Sequence, residues 1–446
     1  MTDRVLELLE NKKYSQVKLT VADMNEVDIA GVFEEIDDPE RSLRLFRLLP
    51  KEMAAEVFAY MDSDIQQKLI EALTENELRY ILDDMYLDDY VDLVDEMPAN
   101  VVMRVLKNSS KENRSLINQY LKYPNDSAGS LMTNEYVYFK RILTVKQAFD
   151  VIRSTGSGKE TIYTCYVISQ DRKLIGVVSV RDMLLADPDD TVEKIMDTNV
   201  LSAGTLDDKE EIAKMFSRYD ILALPVVDNE HRLVGIITID DAVDVMQEEN
   251  TEDFEKMAGM APSDDSYLKT SAFKLAKNRI LWLMILMVSG MVTGLMLQRY
   301  EAAIAAIPLL VTFIPMLMDT GGNCGSQSST MIIRGMALDE INMKDFGRVL
   351  FKEIRVGLLC GLALSVFNFV RIWIQYNDVQ VAATVAATMM TTVCIAKSLG
   401  SVLPMLARKL KLDPAIMAAP IITTVVDACS ILVFFTIAMR ILGQRL

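Results

Sequence analysis

From about residue 280 onward the chain is a succession of long apolar stretches, and this restricts its fold more than any other feature. The candidate segments are 280–297, 302–333, 354–375, 381–407 and 414–439. About 20 apolar residues in a helix cross roughly 30 Å of hydrocarbon. In lipid every backbone N–H and C=O needs an internal partner, which restricts such segments to helices. The last segment, PAIMAAPIITTVVDACSILVFFTIAM, carries Asp427 near its middle. An ionised Asp at the bilayer centre costs roughly 3 kcal/mol, so it faces a bundle interior, a cation or an ion path. A buried, hydrogen-bonded or protonated Asp is the alternative to a cation path.

Charge divides the chain at the same place. Of the 446 residues, 1–265 hold 54 acids and 29 bases, whereas 266–446 hold 9 acids and 17 bases. An acidic region of this kind repels nucleic acid and attracts cations. With one histidine, His231, a metal site must be built from oxygen ligands. Such ligands suit Mg²⁺, Ca²⁺ or Mn²⁺ rather than Zn²⁺ or Cu²⁺. The five cysteines form no CxxC pair and do not read as a disulfide framework. The start, MTDRVLELLENKKYSQ, has no apolar core and predicts no signal peptide. No P-loop and no nucleophile–base constellation appears, so no enzyme is predicted.

Residues 1–126 place apolar positions three and four apart in short runs and predict an acidic helical domain, either a weakly repeated solenoid or a plain bundle. Residues 127–250 contain one pattern twice, over 127–190 and 191–250. LIGVVSVRDMLL (174–185) and LVGIITIDDAVDVM (233–246) each give a strand, Ser/Thr-x-x-Asp and a helix. These duplicated α/β units resemble a pair of CBS modules. In such modules this motif often meets adenosine nucleotides, here through Ser179, Asp182, Thr238 and Asp241. A plain helix N-cap followed by a first-turn acid explains the same residues. Residues 251–279 predict a linker and a linking helix, and 280–446 a five-span all-α membrane domain. Lys and Arg near the span ends number eleven on one side and four on the other. That bias predicts a cytoplasmic N-terminus in the plasma (inner) membrane, with the C-terminus outside.

Polar residues interrupt the second and fifth spans. Pro308, Pro315, Gly321, Gly322 and Gly325 surround Asp319, Thr320, Asn323 and Gln327. Glycine in a span packs helices together, but this mixture predicts a broken helix lining a cavity. In the fifth span Thr423 and Thr424 share a helix face with Asp427, and Pro420 is placed to free carbonyls one turn earlier. Together they make an oxygen-rich site for a hard cation. Glu301 and Asp413, at span ends, are further candidate metal ligands. Lys397 in the fourth span either pairs with Asp319 or Asp427 or snorkels to the interface. Two acidic clusters, Asp83–Glu96 and Asp240–Asp253, read as solvated surface or as cation sensors.

The order of parts, with PMLMDTGGNCGSQS at 315–328, Asp-Pro-Ala at 413–415, Pro-x-x-Thr-Thr-x-x-Asp at 420–427 and Tyr-Pro-x-x-Ser-Ala-Gly-x-Leu-Met at 123–132, resembles the MgtE family of magnesium channels and transporters. The resemblance implies a multi-domain membrane protein that forms a homodimer in the bilayer, with a central pore lined by spans 2 and 5. It implies Mg²⁺ held through water at Asp427, with Asn323 and Thr423 shaping the site. It implies regulatory Mg²⁺ at Asp241, Asp244, Glu249, Glu252 and Asp253, facing Asp88, Asp89 and Asp92. Linking helices near 265–279 would act as plugs, and ATP would bind the CBS pair. Other divalent cations, Co²⁺ or Mn²⁺, and a non-conducting sensor are the alternative functions. The chain departs from the family pattern at Asp319, where Gly is common, and at Lys397, where Asn is; a salt bridge between them is the expectation.

Overall fold

The computed structural model describes residues 1–51, 53–263, 267–268, 270–417 and 419–443. It forms two compact units, Met1–Met246 and Gln247–Leu446.

The first unit begins with short helices, from Thr2–Glu10 to Lys111–Tyr120. Thr2–Glu10 packs on Glu26–Glu34, which packs on Ala54–Ala59, then on Glu75–Asp84 and Ala99–Asn108. Each helix thus meets the next but one, which is solenoid stacking rather than a bundle. Their apolar faces feed a continuous core that includes Ile29, Phe33, Leu45, Phe58 and Tyr90. Starts are set by side-chain caps: Thr74 accepts from Glu77 N while the Glu77 carboxylate returns to Thr74 N at 2.9 Å.

Two three-stranded sheets follow, each with the same topology. In the first, β1 (Tyr136–Lys140) runs parallel to β2 (Thr161–Ile168), which is antiparallel to β3 (Leu174–Ser179). In the second, β4 (Ala203–Gly204), β5 (Ala223–Val227) and β6 (Leu233–Thr238) repeat the order. The register places Ser179 opposite Thr164 and Thr238 opposite Ala223, so the repeated motif closes the third strand of both sheets.

After β6 a single helix, Ile239–Met257, runs past the expected domain end at 250. The expected linking helix near 265–279 falls partly outside the described residues. From Ala272 onward its residues belong to the first long membrane helix, α1 (Ala272–Gln298). The other long helices are α2 (Ile314–Ala337), α3 (Phe346–Tyr376), α4 (Val379–Lys409) and α5 (Ala419–Ile441). Among the described residues, four segments are long and apolar enough to cross a membrane: α1, 343–376, α4 and 414–441. Span 302–333 is the exception among the five expected. It consists of a short helix Glu301–Ala306, a 3₁₀ turn Pro308–Phe313 and then α2.

The expected break within the glycine-rich motif does not occur. α2 is continuous from Ile314 to Ala337, and the interruption lies earlier, at Ile307. Pro308 and Pro315 sit in the first turns of their helices, where a missing N–H costs nothing. The glycines serve contact instead. A Cβ on Gly321 would lie 2.9 Å from Val426, on Gly322 3.0 Å from Thr423, and on Gly325 2.6 Å from Ile422. A Cβ on Gly400 would collide with the Gly325 carbonyl. Small residues therefore let α2 lie directly against α5 and α4.

Candidate cation sites

In the first unit the N-terminus of the Leu87–Glu96 helix meets the start of the CBS pair. The Glu135 carboxylate accepts from Leu87 N at 3.2 Å and from the Thr133 hydroxyl at 2.5 Å. This capping contact presents the first-turn acids Asp88 and Asp89 to the first turn of the Ile239–Met257 helix, where Asp240 and Asp241 lie. Glu160 enters from the start of β2, its backbone N donating to the Glu135 carbonyl at 2.9 Å. One Glu160 carboxylate oxygen is buried without a hydrogen-bond partner.

The electrostatics follow from burial and like charge. Burial, then Asp241 and Asp89, push Asp88 well above the usual carboxylate range. Burial, Asp241 and Asp240 raise Asp89 to about 6. Burial raises Asp241 to about 6 against the opposing bond from Thr238, with Asp240 adding to the rise. Burial, Asp240 and Asp241 bring Glu160 to about 8. Each of these carboxylates is destabilised as an anion, and a divalent cation is the species that would remove the strain. Among the described residues no three such side chains yet converge into a closed metal shell.

Of the expected regulatory residues, Asp88, Asp89 and Asp241 are thus brought together. Asp244 is exposed, its carboxyl raised by burial and by Asp240, and Asp92 is exposed on the Leu87–Glu96 helix. Glu249, Glu252 and Asp253 lie farther along the Ile239–Met257 helix, and Glu252 is ion-paired with Lys256. Sequence reasoning missed Glu135 and Glu160, which carry no periodic signal, and left Asp240 inside an undivided acidic run.

The two copies of Ser/Thr-x-x-Asp have diverged. Ser179 Oγ donates to Asp182 Oδ2 at 2.6 Å, and Thr238 Oγ1 donates to Asp241 Oδ2 at 2.8 Å, so the local geometry is shared. Ser179 and Asp182 line a hollow of about 430 Å³ between the sheets, with Thr164, Tyr166, Asn199 and Asp220. Thr238 is buried and does not line it; its Asp241 belongs to the acidic cluster.

In the second unit Asp427 is half-buried on α5, and the Asp319 carboxylate acts on it electrostatically. Asp319, Asn323 and Gln327 form an exposed polar stripe along α2, beside a groove of about 460 Å³ that also touches Thr320 and Cys360. Thr423 and Thr424 both donate to the Pro420 carbonyl at 3.0 Å. Pro420 lies in the first turn of α5, so it starts the helix rather than freeing carbonyls inside it. The Met417 carbonyl before it accepts from Ser329 Oγ at 3.0 Å.

The expected salt bridge of Lys397 is not formed. Lys397 is buried, and its Nζ donates to Gln327 Oε1 at 3.4 Å; among the described residues it pairs with neither Asp319 nor Asp427. Gly357 on α3 packs close against α4 here: a Cβ there would lie 3.2 Å from the Cys394 Cα and 3.5 Å from the Lys397 Cβ. At the same level Ser328 donates to Glu353 Oε2 on α3 at 2.5 Å, an acid that sequence reasoning overlooked. Asp413 is an N-cap whose Oδ1 accepts from Ala415 N at 2.8 Å, and its Oδ2 pairs with Lys256 at 2.7 Å. Glu301 is an exposed first-turn acid of its short helix.

Residues 314–437 match the MgtE divalent cation transporter family, 24–126 the MgtE intracellular N domain, and 128–189 and 192–248 the CBS domain. The chain is 34% identical to the magnesium transporter MgtE of Thermus thermophilus, covering 98% of this chain and 97% of that one. It is 32% identical to the magnesium transporter MgtE of Bacillus subtilis, covering 98% and 96%. A crystal structure of the cytosolic domain of the Mg²⁺ channel MgtE in complex with ATP superposes with a TM-score of 0.52 at 33% identity, covering 55% of this chain and 100% of that one. With relatives matched along nearly their whole length, the chain belongs to the MgtE family of magnesium transporters.

Proposed function

We propose that this membrane protein carries Mg²⁺ through a path past Asp427, with Asp319, Asn323, Thr423 and Thr424 along it, and that it performs no chemical catalysis. One observation carries the reading: a half-buried acid on α5 faces a second acid on α2, and among the described residues no base pairs with either. An uncompensated pair of carboxylates in an apolar unit is costly unless a cation visits it. The exposed stripe Asp319–Asn323–Gln327 would be equally costly against lipid. A second copy facing it would enclose water there, which supports a homodimer with the pore between protomers. Mg²⁺ dehydrates reluctantly, and a wide polar path lets it keep its water.

The acidic cluster around Asp88, Asp89, Asp240, Asp241 and Glu160 is the proposed sensor, lying in the cytosol by the distribution of Lys and Arg. Cations would neutralise it and favour the closed, docked arrangement. ATP would occupy the hollow at Ser179 and Asp182, as its chemistry and the ATP-bound relative suggest. The driving force for entry is the membrane potential, about 4.6 kcal/mol for two charges at 100 mV. Flux of Mg²⁺, Mn²⁺, Co²⁺ and Ca²⁺ into vesicles holding the protein tests the reading. Mg²⁺ flux should dominate and disappear in Asp427→Ala. Equal flux in that variant refutes the path, and a larger Mn²⁺ or Co²⁺ flux reassigns the substrate.

A further inference from the structure

One hollow belongs to neither cation site. It measures about 760 Å³ and is lined by Asn342, Met343, Lys344, Asp345, Arg348 and Arg408. Three of these six are bases and one is an acid. The hollow lies at the turn between α2 and α3, at the base-rich end of the membrane helices. The 3₁₀ turn Met343–Asp345 leads directly into α3, so the positive end of a 31-residue helix opens onto the same space.

The bases are not equivalent. Arg408 is a clamp: its guanidinium donates to the Met336 and Ile341 carbonyls at 3.3 and 3.4 Å and lies 3.7 Å from Asp339. Arg348 shares Asp345 at 3.2 Å, with its side chain 89% exposed. Lys344 is exposed, and among the described residues it has no ion pair or hydrogen bond. The built wall is therefore rigid on the α4 side and carries available positive charge on the α3 side.

Apolar surface continues from this charge into the membrane. Phe351 is one turn beyond Arg348 on α3 and is exposed, as are Leu358 and Leu362 farther along. Arg355 lies over the Phe351 ring at 5.8 Å, its charge kept near the same end. From Arg348 to Leu362 the helix rises about 21 Å. A soluble phosphate would use the charge and leave this track bare, whereas a phospholipid uses both.

We propose that this hollow holds the phosphate of an anionic phospholipid, with Lys344 and Arg348 as its cations and the Phe351–Leu362 face of α3 as the bed of its acyl chains. Basic pockets between membrane helices on the base-rich side are suited to such headgroups. The inference rests on membrane insertion, not on which ion is carried, and its readout is bound lipid. Its failure therefore leaves the transport reading untouched.

The test counts lipids retained by the full-length protein in mass spectrometry under native conditions, after exchange into micelles with equal phosphatidylglycerol and phosphatidylcholine. The wild type should retain phosphatidylglycerol preferentially. K344Q/R348Q should lower that preference on the order of tenfold, and K344R/R348K should keep it. R440Q, at the other end of α5, should leave it unchanged; Arg408 is spared because its clamp holds the turn. The proposal is overturned if K344Q/R348Q binds as the wild type does, if both lipids are retained equally, or if R440Q loses as much. Displacement by excess inorganic phosphate would also overturn it, since the site would then take the free ion.

Discussion

The two sets of acids solve opposite problems. In the first unit, Asp88, Asp89, Asp241 and Glu160 are pressed together beside Asp240 by docked helix ends and a strand, and the carboxyl groups of those four are raised by burial and by neighbouring acids. In the second unit Asp427 is acted on by one other acid, Asp319, which itself lines an open groove with Thr320, Asn323 and Gln327. A crowded cluster stores repulsion that a bound ion releases, so occupancy changes its shape. A sparse pair, as in the proposed path, would hold an ion loosely and let it leave, as conduction requires. Density of like charge, more than the presence of acids, separates a switch from a path.

The comparison breaks first at Asp427. Asp427→Ala should bring vesicle Mg²⁺ flux to near background while leaving Mg²⁺-dependent stabilisation of the first unit intact; loss of both would mean that the two sites are one. Next, D88N/D89N/D240N/D241N should abolish inhibition of flux by Mg²⁺ on the sensor side. In the wild type, Mg²⁺ at a hundredfold excess over its Kd should stabilise the docked form by about 2.7 kcal/mol in thermal melts. The fourfold variant should show almost none of this, and an unchanged Mg²⁺ response would remove the cluster from the gate.

Acidity sharpens the contrast further. Asp89 and Asp241 titrate at about 6 and Glu160 at about 8 in the folded chain, above the usual range near 4 of an unfolded carboxyl. Between those limits the folded state binds more protons than the unfolded one, so its stability without metal falls as pH rises from about 4 to about 8. Mg²⁺ competes with those protons and should bind more tightly at pH 8 than at pH 6. Melts with and without Mg²⁺ across that range check both signs. Glu160→Gln should raise the metal-free melting temperature and narrow its gap to the Mg²⁺-bound form; a lower melting temperature would show that the Glu160 charge is already compensated. The smallest effect concerns Lys397. Because its ammonium reaches Gln327, the swap D319K/K397D should not restore flux lost in either single variant. Recovery would show that the two side chains meet in another state of the protein.

Much of this was legible in the sequence because its signals are local. Apolar length marks the helices, and a repeated strand–Ser/Thr-x-x-Asp–helix pattern marks the duplicated sheets. Asp241 stood out as a first-turn acid of the repeated motif, and Asp88 and Asp89 as members of an acidic run. Glu135 and Glu160 did not, since only the docking of a loop onto the Leu87–Glu96 helix gives them acidic neighbours. The fate of the glycines was misread for a related reason. Gly321, Gly322 and Gly325 are chain breakers by propensity, yet the partners that make them contact points, Thr423, Ile422 and Val426, lie about a hundred residues away. Lys397 was likewise assigned a partner by charge, whereas its ammonium reaches an amide, Gln327, 70 residues earlier in the chain.

The meeting of Gly325 with Gly400 has one more implication. Where α2 and α4 touch, backbone lies on backbone with no room for even a methyl group. Such a joint has no adjustable shim: neither a larger nor a smaller side chain can be fitted to reset the distance between these helices. Variants of this protein that alter the bore of the conduit must therefore do so by exchanging the side chains that project into it, or by moving α2 and α4 together as one piece.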